Sequence, residues 1–155
     1  MSIYLVRHAK AGSRRQWEGD DTLRPLSKRG RQQADAVGQR LRKLGGGSLI
    51  ASPYARCVQT LEPLAHRRGV VINTDERLAE DSGFDGAIEL LASVPDGSVL
   101  CSHGDVIPAT IEALQRRGCE ITTPPDWRKA SVWVLDRNEH GQVVSAACWP
   151  PPDER

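Results

Sequence analysis

Two short apolar runs in this chain end alike: Ile3-Tyr4-Leu5-Val6 runs into Arg7-His8, and Val99-Leu100-Cys101 runs into Ser102-His103-Gly104. Continuous apolar runs of that length, bounded by loop residues, suit strands covered on both faces, and such strands belong to parallel sheets flanked by helices. Between and after them the apolar period switches to three and four. Ala34, Val37, Leu41 and Leu44 follow Ser27, a predicted N-cap, and Gly45-Gly46-Gly47 is the predicted stop. Further helices are predicted over Tyr54 to Arg68, with Pro63 as a kink or local break, over Phe84 to Val94, and over Val106 to Arg117. Ser48 to Ala51 and Val70-Val71-Ile72 are the remaining buried strands. Ser131 to Leu135 and Val143 to Cys148 form a hairpin around Asn138 to Gly141. The alternation predicts an α/β fold, a three-layer α/β/α sandwich with a mostly parallel central sheet closed by a carboxyl-terminal hairpin. At 155 residues the chain is one domain, 1–155, with a loose end from Pro150.

Parallel sheets bind their ligands at the rim where strands end and loops begin. The predicted topology brings three strand ends there: Arg7-His8, Ser52-Pro53 leading into Arg56, and His103-Gly104. Two arginines and two histidines collected at one rim are expensive to bury without an anion among them. Arginine's planar fork suits phosphate oxygens, and a neutral imidazole can attack phosphorus.

Composition narrows the partners. With 21 basic and 20 acidic side chains the net charge is +1, so no global field favours a nucleic-acid polymer. The bases nevertheless crowd the first fifth of the chain, in and after the loop Ala9 to Pro25. Cys57, Cys101, Cys119 and Cys148 are widely spaced, without the pairing of zinc or redox motifs, which predicts reduced thiols. No run is long and apolar enough for a membrane span, and no secretory leader pattern opens the chain, so a cytoplasmic location is expected.

Leu5-Val6-Arg7-His8-Ala9, Pro25 to Gly30, Ser52-Pro53-Tyr54-Ala55-Arg56-Cys57-Val58-Gln59-Thr60, Arg77-Leu78-Ala79-Glu80 and Ser102-His103-Gly104 occur in the order and spacing of a known family. The chain resembles the histidine phosphatase superfamily, with the phosphoglycerate-mutase-like fold. Its short length and Arg-His-Ala-Lys-Ala-Gly opening resemble the small SixA-type phosphohistidine phosphatases. Gly19-Asp20-Asp21 through Leu26, together with Arg128 to Leu135, resemble more closely the phosphatase domain fused to some actinobacterial MutT-type Nudix hydrolases.

The resemblance implies a metal-independent phosphatase without cofactor, in which His8 takes a phosphoryl group from a phosphomonoester or phosphoramidate and water then hydrolyses the phosphohistidine. Arg7, Arg56 and His103 would hold the phosphoryl oxygens, with Gly104 beside them. Glu80 matches the family's leaving-group acid, with Asp81 and Asp20 as rivals. Lys129 matches a lysine near the pocket in SixA-like sequences and reads equally as a solvated strand-edge charge. Lys10, Arg14 and Arg15 are candidates for the substrate-facing rim, and Ser13 for a phosphate donor. Trp17 would either stack on a base or anchor its loop. The implied partner is a phosphorylated protein carrying phosphohistidine, the favoured reading, or a small phosphorylated metabolite or nucleotide, acted on by a monomer or weak homo-oligomer. A phosphate-binding interaction module without turnover is the alternative from another class.

Overall fold

Side chains of the first strand, β1 (Ser2–Arg7), leave it alternately, and the two sets enter different cores. The computed structural model describes residues 1–44 and 46–152. Within them β2 (Leu49–Ala51), β3 (Ile72–Thr74), β4 (Val99–Ser102), β5 (Glu120–Ile121), β6 (Val132–Arg137) and β7 (Val143–Trp149) join β1 in one sheet of order β3-β2-β4-β1-β6-β7-β5. Four α-helices are described, α1 (Lys28–Leu41), α2 (Ala55–Arg68), α3 (Asp85–Ser93) and α4 (Val106–Arg116). Ile3 and Leu5 pack with Leu100, Trp133 and Leu135 of the sheet against Leu90 and Leu91 of α3 and Ile107 and Ile111 of α4. Tyr4 and Val6 pack with Leu49, Val99 and Val132 against Val37 and Leu41 of α1 and Leu61 and Leu64 of α2. The result is the predicted three-layer sandwich, with helices burying both faces of the sheet.

Pairing is parallel from β3 through β2 and β4 to β1, so four strand ends share one edge. Arg7 lies opposite Ser102, and Ala51 opposite both Cys101 and Thr74. The hairpin β6–β7 then adds β6 antiparallel to β1, which brings the start of β6 to the same edge.

Several local expectations needed correction. The third strand is Ile72–Thr74, not Val70 to Ile72: the left-handed Gly69 closes α2, and Val70 and Val71 are exposed, Val71 at 78%. Strand β5, two residues long, was not anticipated. Helix α2 runs through Pro63 without a break, packed so closely on α1 that a Cβ at Gly38 would lie 3.3 Å from Pro63 Cβ. Helix α1 is capped by Ser27 Oγ as expected but ends at Leu41, before the glycines, of which Gly45 lies outside the described residues. The final segment is better held than expected as far as Pro152, which is buried, and Pro150 O accepts a hydrogen bond from Arg40; residues 153–155 lie outside the described residues.

Candidate active site

The loop after β1 is pinned from beneath by side chains of both helices on its face. Ala9 N donates to Thr60 Oγ1 at 3.0 Å, Lys10 N to Gln33 Oε1 at 2.9 Å and Leu26 N to Gln59 Oε1 at 2.8 Å. Gln59 and Thr60, the last two residues of SPxxRxxQT, therefore hold the loop. Gly30 lets α1 press against it, since a Cβ there would lie 1.8 Å from Lys10 O. Ala130, in the left-handed region at φ 68, donates its N–H to the carbonyls of Arg7 and His8 and fixes the chain before β6 against the end of β1.

On this frame His8 is 5% exposed, and its Nδ1 lies 2.8 Å from Ala9 O. A carbonyl oxygen can only accept, so Nδ1 carries the proton and Nε2 keeps its lone pair. Burial, opposed by that hydrogen bond and reinforced by His103, Arg56 and Arg7, lowers the His8 pKa to about 3. His8 is thus a neutral imidazole at neutral pH.

Around it stand the cations. Arg56, fully buried at the start of α2, donates from Nη1 to Asp21 O at 3.0 Å and from Nη2 to Asp21 Oδ2 at 3.1 Å and Glu80 Oε1 at 2.7 Å. Its guanidinium lies over the Tyr54 ring, which meets His103 edge-on at 4.7 Å between centroids. Arg7 donates from Nη1 to Trp127 O at 2.6 Å, and burial lowers its pKa. A Cβ at Gly104 would lie 2.7 Å from Arg7 Cζ, so glycine is what lets this guanidinium lie flat on the loop after β4.

His103 is buried with its ring centroid 5.4 Å from that of His8. Ser52 Oγ lies 2.8 Å and Cys57 Sγ 3.5 Å from its Nε2. Its Nδ1 makes no hydrogen bond and has Glu80 Oε1 at 3.5 Å. Arg7 Nε and Arg56 Nε are likewise buried without a partner among the described residues. Two buried guanidinium N–H donors, and a His103 ring nitrogen that donates in one of its tautomers, are thus without a partner near His8, an arrangement that suits an anion rich in acceptor oxygens.

Residues 3–86 match the family model of the histidine phosphatase superfamily (branch 1). The chain belongs to that superfamily. It is 37% identical over 160 residues to an 8-oxo-(d)GTP phosphatase of Mycolicibacterium smegmatis; the match covers 99% of this chain and 49% of that protein, so the chain spans about half the length of this relative. Among solved structures, the protein histidine phosphatase SixA complexed with tungstate superposes with a TM-score of 0.75 at 21% identity, covering 96% of this chain and 94% of that one. A mycobacterial glucosyl-3-phosphoglycerate phosphatase complexed with VO3 gives 0.70 at 19% identity, covering 97% and 99%. These structural likenesses concern the fold.

In this superfamily member a cavity of about 690 Å³ opens over His8. Its wall holds Arg7, Arg56, Glu80, Gly104 and Lys129, and on the loop side Lys10, Ser13 and Arg14. The wall also holds Asp81, strained at φ 65, whose N–H donates to Asp105 Oδ2 at 2.8 Å. His103 stands just behind the wall, beside Glu80. Other candidates fall outside it. Asp20 caps the short turn Asp21–Leu23 by accepting from Thr22 N, Arg15 does not line the cavity, and Trp17 anchors its loop by donating from Nε1 to Asp20 O at 2.9 Å. Among the described residues no group of three or more His, Cys, Asp or Glu is placed to share a metal ion.

Two participants, Arg24 and Asp21, escaped the sequence reading, and a third, Ser52, was expected at the rim but without a role. Arg24 is buried in the cavity wall, donating to Gly12 O at 2.6 Å and to Asp21 Oδ1 at 2.9 Å. Asp21 joins Arg24 to Arg56, and the hydrogen bond from Arg24, with Arg56 beside it, lowers the Asp21 pKa. Ser52 orients His103. The SPxxR spacing marks Ser52 as a strand end, whereas nothing local marks Asp21 or Arg24.

Proposed function

We propose that this chain is a metal-independent phosphatase that works through a phosphohistidine on His8. The observation that carries the reading is the Nδ1–Ala9 O hydrogen bond, which fixes the neutral tautomer and leaves Nε2 as nucleophile beside Arg7, Arg56 and His103. Nε2 forms a bond to phosphorus as the bond from phosphorus to the leaving oxygen breaks. Water then cleaves the P–N bond, releasing inorganic phosphate and restoring His8. Arg7, Arg56 and His103 stabilise the charge that spreads over the equatorial oxygens, and one such preorganised donor is typically worth about a hundred- to a thousand-fold in rate.

Glu80 completes the cycle. Its Oε1 accepts from Arg56 Nη2 at 2.7 Å and lies 3.5 Å from His103 Nδ1, where a phosphoryl oxygen would meet the same two groups. An arriving phosphoryl group competes for those groups and releases the Glu80 carboxyl group to act as an acid. The protonated acid then gives its proton to the leaving oxygen and recovers one from the attacking water.

For the substrate, we favour a small phosphorylated molecule of nucleotide type. The loop residues Lys10, Ser13, Arg14 and Arg24 wall the cavity, which gives a bound small molecule more surface than an open protein-docking site would, and the 37% identical relative is named for a nucleotide. The second reading, a phosphohistidine on a protein, draws on the SixA-like fold. The experiment is turnover of p-nitrophenyl phosphate by wild type and His8→Ala. Activity lost with His8 supports the reading; activity retained by a clean His8→Ala preparation defeats it. Vanadate binding by a wild type that hydrolyses nothing would make the chain a binding module instead.

A further inference from the structure

Cys57 follows Arg56 in the first turn of α2, fully buried and outside the wall of the cavity over His8. No step of the cycle above uses its thiol, yet its surroundings are polar. The sulfur lies 3.5 Å from His103 Nε2, and Ser52, just after β2, and Cys101, in β4, hydrogen-bond to it as well. Ser52 Oγ in turn lies 2.8 Å from the same His103 nitrogen and accepts from Tyr54 N at 3.3 Å. Burial opposes charge on a thiol, and it raises the pKa of Cys101, Cys119 and Cys148, the last to about 11. At Cys57 the same burial is outweighed by the hydrogen bonds from Cys101, His103 and Ser52 and by the charge of a protonated His103, and the pKa falls to about 6.

With Cys57 as a thiolate, every hydrogen around it has a place. Cys101 S–H and Ser52 O–H donate to the sulfur, Tyr54 N–H donates to Ser52 Oγ, and His103 Nε2–H points at the sulfur and Ser52 together. His103 then also carries a proton on Nδ1, the nitrogen that makes no hydrogen bond and has Glu80 Oε1 at 3.5 Å. With a neutral thiol, His103 has one proton for two nitrogens. The tautomer that puts it on Nε2 turns Nδ1 into an acceptor, which cannot receive a phosphoryl oxygen. The other ionisable groups facing the pair are the neutral His8, its ring centroid 5.4 Å from that of His103, Glu80 at Nδ1, and Arg56, whose guanidinium lies over Tyr54. Arg56 disfavours a further cation beside it, and an anion held behind the His103 ring offsets that cost.

We propose that Cys57 is a positioning residue of the phosphoryl site: its thiol gives a proton to His103 Nε2, the S–H bond breaking as the N–H bond forms, and the thiolate holds His103 as an imidazolium with Nδ1–H left for the anion. This inference rests on the phosphatase reading above.

The test follows the ultraviolet absorbance of the thiolate, and kcat/KM on p-nitrophenyl phosphate, between pH 5 and pH 7 in wild type, Cys57→Ser, Cys101→Ala and His8→Ala. Serine keeps the hydrogen bonding of the side chain but stays neutral. Wild type is expected to show thiolate absorbance at pH 7 that is lost toward pH 5, and Cys57→Ser to show none. At pH 7 Cys57→Ser falls by about tenfold or more in kcat/KM, as expected when a charge-assisted hydrogen bond becomes a neutral one. The wild-type advantage shrinks toward pH 5, where Cys57 is itself neutral, a change that a purely structural role would not produce. Cys101→Ala removes one donor to the sulfur and moves the thiolate step to higher pH; this arm decides the matter if Cys57→Ser does not fold. No thiolate at pH 7, a wild-type advantage equal at both pH values, or a step unmoved in Cys101→Ala overturns the proposal. Turnover that survives in His8→Ala defeats the phosphatase reading instead, and the absorbance needs no turnover, so the two failures are distinguishable.

Discussion

The Nδ1 of His8 is bonded to the carbonyl of Ala9, the next residue in the chain, at 2.8 Å. The strand that delivers the imidazole to the sheet edge thus also sets its tautomer, and Thr60 holds the same residue by accepting from Ala9 N at 3.0 Å. Buried imidazole, tautomer and loop anchor are joined within two consecutive residues.

Acidification tests the burial of this imidazole. The His8 pKa falls from 6.5 to about 3 on folding, so below pH 6.5 the unfolded chain binds a proton that the native state refuses. Stability is full above the unfolded value and declines as pH drops from there toward the folded one. At about 1.4 kcal/mol per pH unit, the contribution lost between pH 6.5 and about pH 5 is on the order of 2 kcal/mol. Urea unfolding of wild type and His8→Asn at pH 7 and pH 5 should show the wild type losing more stability by about that amount. Parallel losses would contradict the buried neutral imidazole.

Replacing Gly104 with alanine places a methyl 2.7 Å from Arg7 Cζ and drives the guanidinium off its seat. A fall of about a hundredfold in kcat/KM is expected, near the worth of one preorganised donor, with the far-ultraviolet circular dichroism unchanged. Activity within a few-fold of wild type would show that Arg7 does not need this seat.

Glu80→Gln keeps an acceptor for Arg56 and removes the proton. On an alkyl phosphate, turnover should drop by about a hundred- to ten-thousand-fold. On phosphoramidate, whose leaving group departs readily, the loss should be small. Equal losses on both substrates would recast Glu80 as a residue that only positions Arg56, to which it is bonded at 2.7 Å.

Thr60→Val leaves the buried Ala9 N–H without its acceptor. The cost expected for such an orphaned donor is about 1–3 kcal/mol, read as a lower urea midpoint at unchanged slope. A neutral substitution would mean that the loop after β1 is held elsewhere.

How far the sequence disclosed this molecule depended on whether the cause of a feature was local. β1 and β4 could be read because burial on both faces demands unbroken apolar runs, and the histidines that end them mark the sheet edge. β3 was misplaced because apolar character did not decide it: Val70 and Val71 are exposed, and the strand is set by backbone pairing of Ile72 with Leu49. Glu120–Ile121 forms β5 only because β7 passes beside it, opposite Ser145 and Ala146. In the site, His8, Arg56 and His103 followed from strand ends and motif spacing. Arg24 and Asp21 did not, since an arginine beside Pro25 looks solvated until the fold brings Gly12 and Asp21 to it.

The central claim is that phosphorus becomes bonded to His8. Rapid quench of the protein with labelled aryl phosphate, followed by alkaline digestion-compatible peptide mapping, tests it most directly. The account predicts an acid-labile, alkali-stable phosphoryl adduct on the peptide that contains His8, absent from His8→Ala. Turnover with no adduct at His8, or an adduct mapped to another residue, would contradict it.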